Sequence, residues 1–287
     1  MRAGRRYSDC MATGDSPYPA AMTDKPPRPK RWVPCSLRMF VAGLAALSIP
    51  AAWNGYPALR QYLAIRQIEC VGGSVQQDRH RKRVGPTWLQ PFLRTFDPVV
   101  SVSFGSRSLK DNDVTSLATL KSLRVVDLQN TGVTDGALRH LHGLDKLERL
   151  YLNNTNVADA GLAHLAGLRN LEMLILDGTQ VEGDGLGQLA GLQKLQVLTL
   201  DKTRVVDAGL AKLSGMTNLR KLYLRDTQVT DAGLAHLRGM TFLMDLTLDG
   251  TAVTDAGLTQ VAGRTYLNGL RLQRTRVTDA GMVDWRA

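Results

Sequence analysis

The sequence predicts an α/β solenoid: a curved stack of coils with a parallel sheet on the concave face and short helices on the convex face, preceded by an N-terminal hydrophobic helix. Three observations predict it. The 24 residues "LRKLYLRDTQVTDAGLAHLRGMTF" from Leu219 are followed directly by "LMDLTLDGTAVTDAGLTQVAGRTY" from Leu243, and the same pattern starts at Leu123, Leu147, Leu171, Leu195 and Leu267 without insertion. A fixed period of this size means that no unit buries its own apolar face and each leans on its neighbours. Inside a unit the apolar spacing changes from two residues to three, which is the change from strand to helix. Near the start, residues 39–59 carry no charge.

In chain order, residues 1–36 hold six prolines and no apolar periodicity, so they are expected to be a disordered, basic segment. Met22 opens a more conventional leader than Met1 and is a candidate start. "MFVAGLAALSIPAAWNGYPAL" at 39–59 is 21 residues long, close to the roughly 20 that a helix needs to cross a bilayer. Lys25, Arg28, Lys30, Arg31 and Arg38 precede it, and Trp53 and Tyr56 stand near its end. This charge bias predicts a single-pass anchor in the cell membrane with the repeats outside the cytoplasm. A cleaved signal peptide, which would leave a secreted protein, and an ordinary buried helix are the other readings of the same stretch.

Residues 60–98 are expected to cap the array, with a helix running into Gly72 and Gly73 and then a short strand around Val75. Trp88, Leu89, Phe92, Leu93 and Phe96 would form an apolar plug, and the basic run at 79–83 a solvated loop or, less simply, a contact to anionic lipid. The array itself covers 99–287 in about eight units, with Val99, Val102 and Phe104 in the strand slots of a degenerate first one. Trp285 stands where earlier units have Leu and is expected to cover the open end.

Each full unit reads LxxLxLxxTxVxDAGLxxLxGLxx. Leu at the first, fourth and sixth positions faces inward, so the third, fifth and seventh positions face the concave side. Asp at the thirteenth position (Asp135, Asp159, Asp207, Asp231, Asp255, Asp279) is the expected helix cap. The glycine two residues later costs about 1 kcal/mol inside a helix relative to Ala, so its return implies close packing of adjacent coils.

These residues resemble the leucine-rich repeat family, whose LxxLxLxx(N/C)xL consensus is matched with Thr in place of Asn or Cys. The TDAGL segment is similar to the subgroup found in many bacterial repeat proteins and in F-box-type adaptors. The resemblance implies that the Thr column, Thr131 to Thr275, turns inward and satisfies backbone groups at the bend rather than forming a row of nucleophiles. It also implies a binding surface rather than a catalytic one.

The net charge of +10 does not mark a nucleic-acid binder. Residues 1–98 hold 15 Lys and Arg against 6 Asp and Glu, whereas 99–287 hold 21 against 20. A near-neutral array offers no footprint for phosphates. Cys10, Cys35 and Cys70 form no CxxC pair, so neither a disulfide framework nor a zinc site is expected, and Cys70 reads as a small buried residue. His140, His164 and His236 share a slot that also accepts Gln and Lys, which describes a solvent face rather than a metal site. "GDGLG" at 183–187 lacks the full spacing of a phosphate loop. No cofactor, metal or enzymatic activity is expected.

The expected function is a membrane-anchored scaffold that presents its concave surface to a protein partner. Tyr, Arg and large apolar residues most often anchor interfaces, and on the concave columns they gather at Arg149, Tyr151, Met173 and Ile175, then at Lys221, Tyr223 and Arg225, with Arg271 beyond. A cell-wall or carbohydrate binder and a soluble cytoplasmic adaptor are the alternatives.

Overall fold

The computed structural model describes the backbone of residues 51–78, 97–105 and 109–286, with side chains from 59–78, 97–105 and 109–282. The expectations for residues 1–36, for most of 39–59, for the basic run, for the apolar plug and for the Trp285 side chain lie outside them. The chain divides into two compact units, Met1–Trp53 and Asn54–Ala287, and the described residues belong almost wholly to the second. Among the described residues no helix is long and apolar enough to cross a membrane.

Helix α1 (Ala51–Cys70) ends at Gly72, whose φ of 80° is the left-handed conformation that glycine adopts without penalty. Strand β1 (Gly73–Gln77) follows and pairs antiparallel with β2 (Val99–Phe104). Gly73 must be glycine: a Cβ there would stand 2.6 Å from Ile68 Cγ2 and 2.9 Å from the Phe104 ring. Through this junction Ala64 and Ile68 of α1 join the core of the first coil. Cys70 is exposed, against expectation. It follows the inward Ile68 by two residues, which on a helix is roughly 200° around the axis.

From β2 onward the sheet is parallel and in sequence order through β3 (Val125–Asp127), β4 (Arg149–Tyr151), β5 (Met173–Ile175), β6 (Val197–Thr199), β7 (Lys221–Tyr223), β8 (Asp245–Thr247) and β9 (Gly269–Arg271). The register steps by one unit each time, so Leu150 faces Leu174, which faces Leu198, which faces Leu222. Leu219, Leu222 and Leu224 are wholly buried, as are their equivalents in neighbouring coils. At about 2 kcal/mol for each fully buried Leu, this continuous row is what holds the array.

Every Thr of the repeat column donates its hydroxyl proton to the carbonyl three residues earlier, from Thr131 to Leu128 O at 2.6 Å through Thr275 to Leu272 O at 2.7 Å. The column is structural. The preceding residue supplies the bend itself: Asn130, Asn154, Lys202, Asp226 and Arg274 have φ between 54° and 58°, and Gly178 and Gly250 take the same slot.

The thirteenth-position Asp does not cap its own helix. The residue before it is the N-cap, and Thr134, Thr230 and Thr254 accept from the backbone N–H two residues on. The carboxylate, free of that duty, reaches to the next coil. Asp207 and Asp231 each accept the backbone N–H of the following N-cap Thr at 2.8 Å and its hydroxyl at 2.6 Å. The repeated glycine makes this possible, because a Cβ at Gly233 or Gly257 would overlap Asp207 Oδ1 or Asp231 Oδ1.

One unit departs from this plan. Gly183 stands where the Asp should be, with φ 120°, and packs directly on Gly209 of the next coil. The following turn is a 3-10 helix, Asp184–Gly191, and a cavity of about 340 Å³ lined by Glu182, Asp184, Arg204, Val206 and Gln228 opens beside it. "GDGLG" is thus a repeat variant at a coil junction.

Candidate functional site: the concave face

Strand alternation places the third, fifth and seventh positions of every unit on the concave side, and the parallel register brings equivalent residues side by side. Arg149 pairs with Met173 and Tyr151 with Ile175. Arg149 is exposed and Tyr151 and Met173 are half-buried, whereas Ile175 is only 2% exposed. Three coils on, Lys221 and Arg225 are half-buried, Tyr223 is 6% exposed, and Arg271 beyond them is exposed. Ile175 and Tyr223 are therefore packing residues on the concave side rather than displayed ones. The cause is local: Tyr223 lies between Thr199 and Thr247, whose small side chains let a ring sink between them.

The second cluster contains acids that the reading of aromatic and basic residues passed over. Asp177, Asp201 and Asp249 recur at the seventh position and are 5 to 7% exposed. Each also has a scaffold duty, since Oδ1 accepts a backbone N–H from the next coil: Asp177 from Asp201, Asp201 from Arg225, and Asp249 from Gln273. Arg225 lies between two of them, with Nε 3.8 Å from Asp201 Oδ2 and 3.6 Å from Asp249 Oδ2. That is Coulombic range but outside hydrogen-bond distance, and Arg225 Nε is buried without a hydrogen-bond partner. Lys221 Nζ is held at 2.8 Å by Asp245 Oδ2. The sequence signal for this cluster was the recurrence of Asp in one concave slot.

Burial pushes the Asp201 carboxyl up to about 6, and the like charges of Asp177 and Asp249 add to it, while the backbone N–H and guanidinium of Arg225 oppose. The Tyr151 and Tyr223 phenols are raised chiefly by burial, which keeps both neutral donors at physiological pH. The arrangement can hold cationic and hydrogen-bonding groups on a rigid sheet.

On the convex side His164 and His236 are exposed and His140 is half-buried, with its imidazole lowered by burial. Among the described residues no group of three or more His, Cys, Asp or Glu is placed to hold a metal ion.

No protein-family model and no curated protein sequence matches the chain. Solved structures do. Internalin C2 from Listeria monocytogenes aligns with a TM-score of 0.55 at 24% identity, covering 78% of this chain and 88% of that one. The internalin inlF from the same organism aligns with a TM-score of 0.52 at 20% identity over 65% of this chain, which spans only 58% of that protein's length. Identities this low speak to architecture alone. The architecture, with its sequential parallel sheet and one buried Leu row per coil, is the leucine-rich repeat fold.

Proposed function

We propose that this chain is a non-enzymatic binding protein of the TDAGL repeat type, whose concave face recognises a protein partner. One observation carries the reading: two buried carboxylates, Asp201 and Asp249, share the half-buried Arg225 guanidinium beside Tyr223 and the Lys221–Asp245 pair. As a stabilising device this is poor, because desolvating charges costs as much as imperfect ion pairs return. As a recognition device it is economical, since fixed charges on a rigid sheet select a complementary partner without being ordered at the moment of binding. Arg149, Tyr151 and Met173 extend the surface with residue types common at interface centres.

A photo-crosslinking residue at Arg149 or Arg271 should trap the same partner, and one at His164 on the convex side should not. Trapping only from His164 would place the interface on the other face. We further propose that residues 39–59 anchor the protein with the repeats outside the cytoplasm, on the strength of the uncharged stretch and the basic residues ahead of it. Fractionation with protease protection tests this: full-length protein in the soluble cytoplasmic fraction would refute it.

A further inference from the structure

The edge of the sheet where the chain enters each strand is polar along most of the array. Its two columns flank the first buried Leu of each unit and read Lys146, Asn170, Lys194 and Asn218 before it, and Glu148, Glu172, Gln196 and Arg220 after it. These side chains tie neighbouring coils together. Asn218 Nδ2 donates to Gln193 O at 2.8 Å, Lys194 Nζ donates to Asn170 Oδ1 at 2.7 Å, and Arg124 pairs with Glu148 at 3.3 Å.

Over the next two junctions the same columns turn apolar. Phe242 and Tyr266 take the first and Met244 the second, and they are 52%, 53% and 36% exposed. The two rings lie with centroids 5.9 Å apart at 34°. Met244 is bonded into the edge ladder between Arg220 and Asn268, donating to Arg220 O at 2.7 Å and accepting from Asn268 N at 3.0 Å. Single exposed apolar residues are ordinary, but a contiguous group in slots otherwise filled by hydrogen-bonding side chains marks a contact surface.

Two cations border the group, and the one acid next to it in sequence, Asp245 after Met244, is paired with Lys221 at 2.8 Å. Arg220 is exposed beside Met244. Arg264 is half-buried and donates through both guanidinium nitrogens to Leu237 O and Met240 O, at 2.7 Å and 2.8 Å, which fixes its charge two residues from Tyr266. The three residues ending each unit and the two that begin the next, over 240–244 and 264–268, contain no Asp or Glu. A second copy of the chain meeting this patch face to face would bring Arg against Arg. Three side chains across one coil step also make a far smaller footprint than the roughly 800 Å² that each partner of a stable globular interface buries.

We propose that Phe242, Met244 and Tyr266, with Arg220 at their border, form a docking site for a short linear segment of another protein that carries apolar side chains next to carboxylates. The rings and thioether accept the apolar side chain, and Arg220 pairs with a neighbouring carboxylate. The site lies on the sheet edge and does not depend on the concave face being an interface.

The test uses the full chain as bait for a displayed library of random twelve-residue peptides, followed by anisotropy titration of the enriched peptide. The expected result is a consensus of aromatic or Leu residues beside Asp or Glu. The Phe242→Asn, Tyr266→Asn double variant, which carries residues this slot holds elsewhere, should weaken its binding at least tenfold, and Arg220→Glu at least threefold, without a fall in Tm. Failure to enrich any peptide over a bait-free control, a basic consensus, or binding that survives the double variant overturns the proposal. So does loss of self-association in the double variant by sedimentation, which would make the occupant a second copy. Loss of binding to phosphatidylserine vesicles in that variant, with no peptide enriched, would make it a membrane.

Discussion

Asp231 accepts two hydrogen bonds from Thr254 of the next coil, the backbone N–H at 2.8 Å and the hydroxyl at 2.6 Å. The same pair recurs as Asp207 with Thr230 and Asp255 with Thr278. TDAGL is therefore an inter-coil clamp: Thr caps its own helix and donates backward, Asp reaches forward, and Gly leaves room for the incoming carboxylate.

Asp231→Ala should cost about 2 kcal/mol, the range for hydrogen bonds to a charged acceptor, read as a lower urea midpoint with faster hydrogen exchange in the coil from Leu243. Gly257→Ala should also destabilise, because its methyl group would overlap Asp231 Oδ1. The double variant should lose less than the sum, since removing the carboxylate removes the overlap. Strict additivity would show that the glycine is there for another reason.

Restoring the repeat pattern at its one break should harm the protein. Gly183→Asp supplies the missing clamp residue, yet Gly183 has φ 120° and a Cβ there would stand 2.7 Å from Gly209 Cα. Both the conformation and the backbone contact exclude a side chain, so a loss of about 2 kcal/mol is expected. A rise in Tm would mean that the coils can separate enough to accept the usual rung.

Asp201 should give the concave face a pH signature. Its carboxyl is raised from 3.8 to about 6, so the folded state holds the proton more tightly than the unfolded chain does. The stability it contributes is fully present below about pH 3.8 and is lost as pH rises through about 6. Asp201→Asn keeps an acceptor for the Arg225 N–H, now at 2.7 Å, and removes the titration. The wild type should lose ~1–2 kcal/mol relative to this variant across that window, after allowance for partial solvation. Parallel pH profiles for the two proteins would refute the assignment.

What the sequence made legible follows its period. Leu219, Leu222 and Leu224, the Thr column and the strand slots of the first coil at Val99, Val102 and Phe104 were all readable, because each answers to a pattern within one unit. The Asp clamp was not, since its partner lies 23 residues away on the next coil; the coupled Asp and Gly of TDAGL were its only trace. Exposure on the concave face was not readable either, because it depends on the neighbouring coils. Phe242 and Tyr266 escaped notice because they lie just outside the strand, where alternation says nothing.

Tyr151 and Tyr223 occupy the same slot three coils apart, and they should behave differently. Tyr223 is 6% exposed between Thr199 and Thr247. Tyr151 is half-buried between Asp127 and Ile175, and the branched Ile leaves less space for a ring to settle. Tyr223→Ala should open a cavity in the face and cost about 3 kcal/mol of stability. Tyr151→Ala should cost under about 1 kcal/mol of stability while weakening partner capture by about 1–3 kcal/mol. Thermal unfolding separates the two roles before any partner is known. If both variants lose equal stability, Tyr151 is also a packing residue, and the displayed part of the concave surface shrinks to Arg149, Met173 and the charged groups around Arg225.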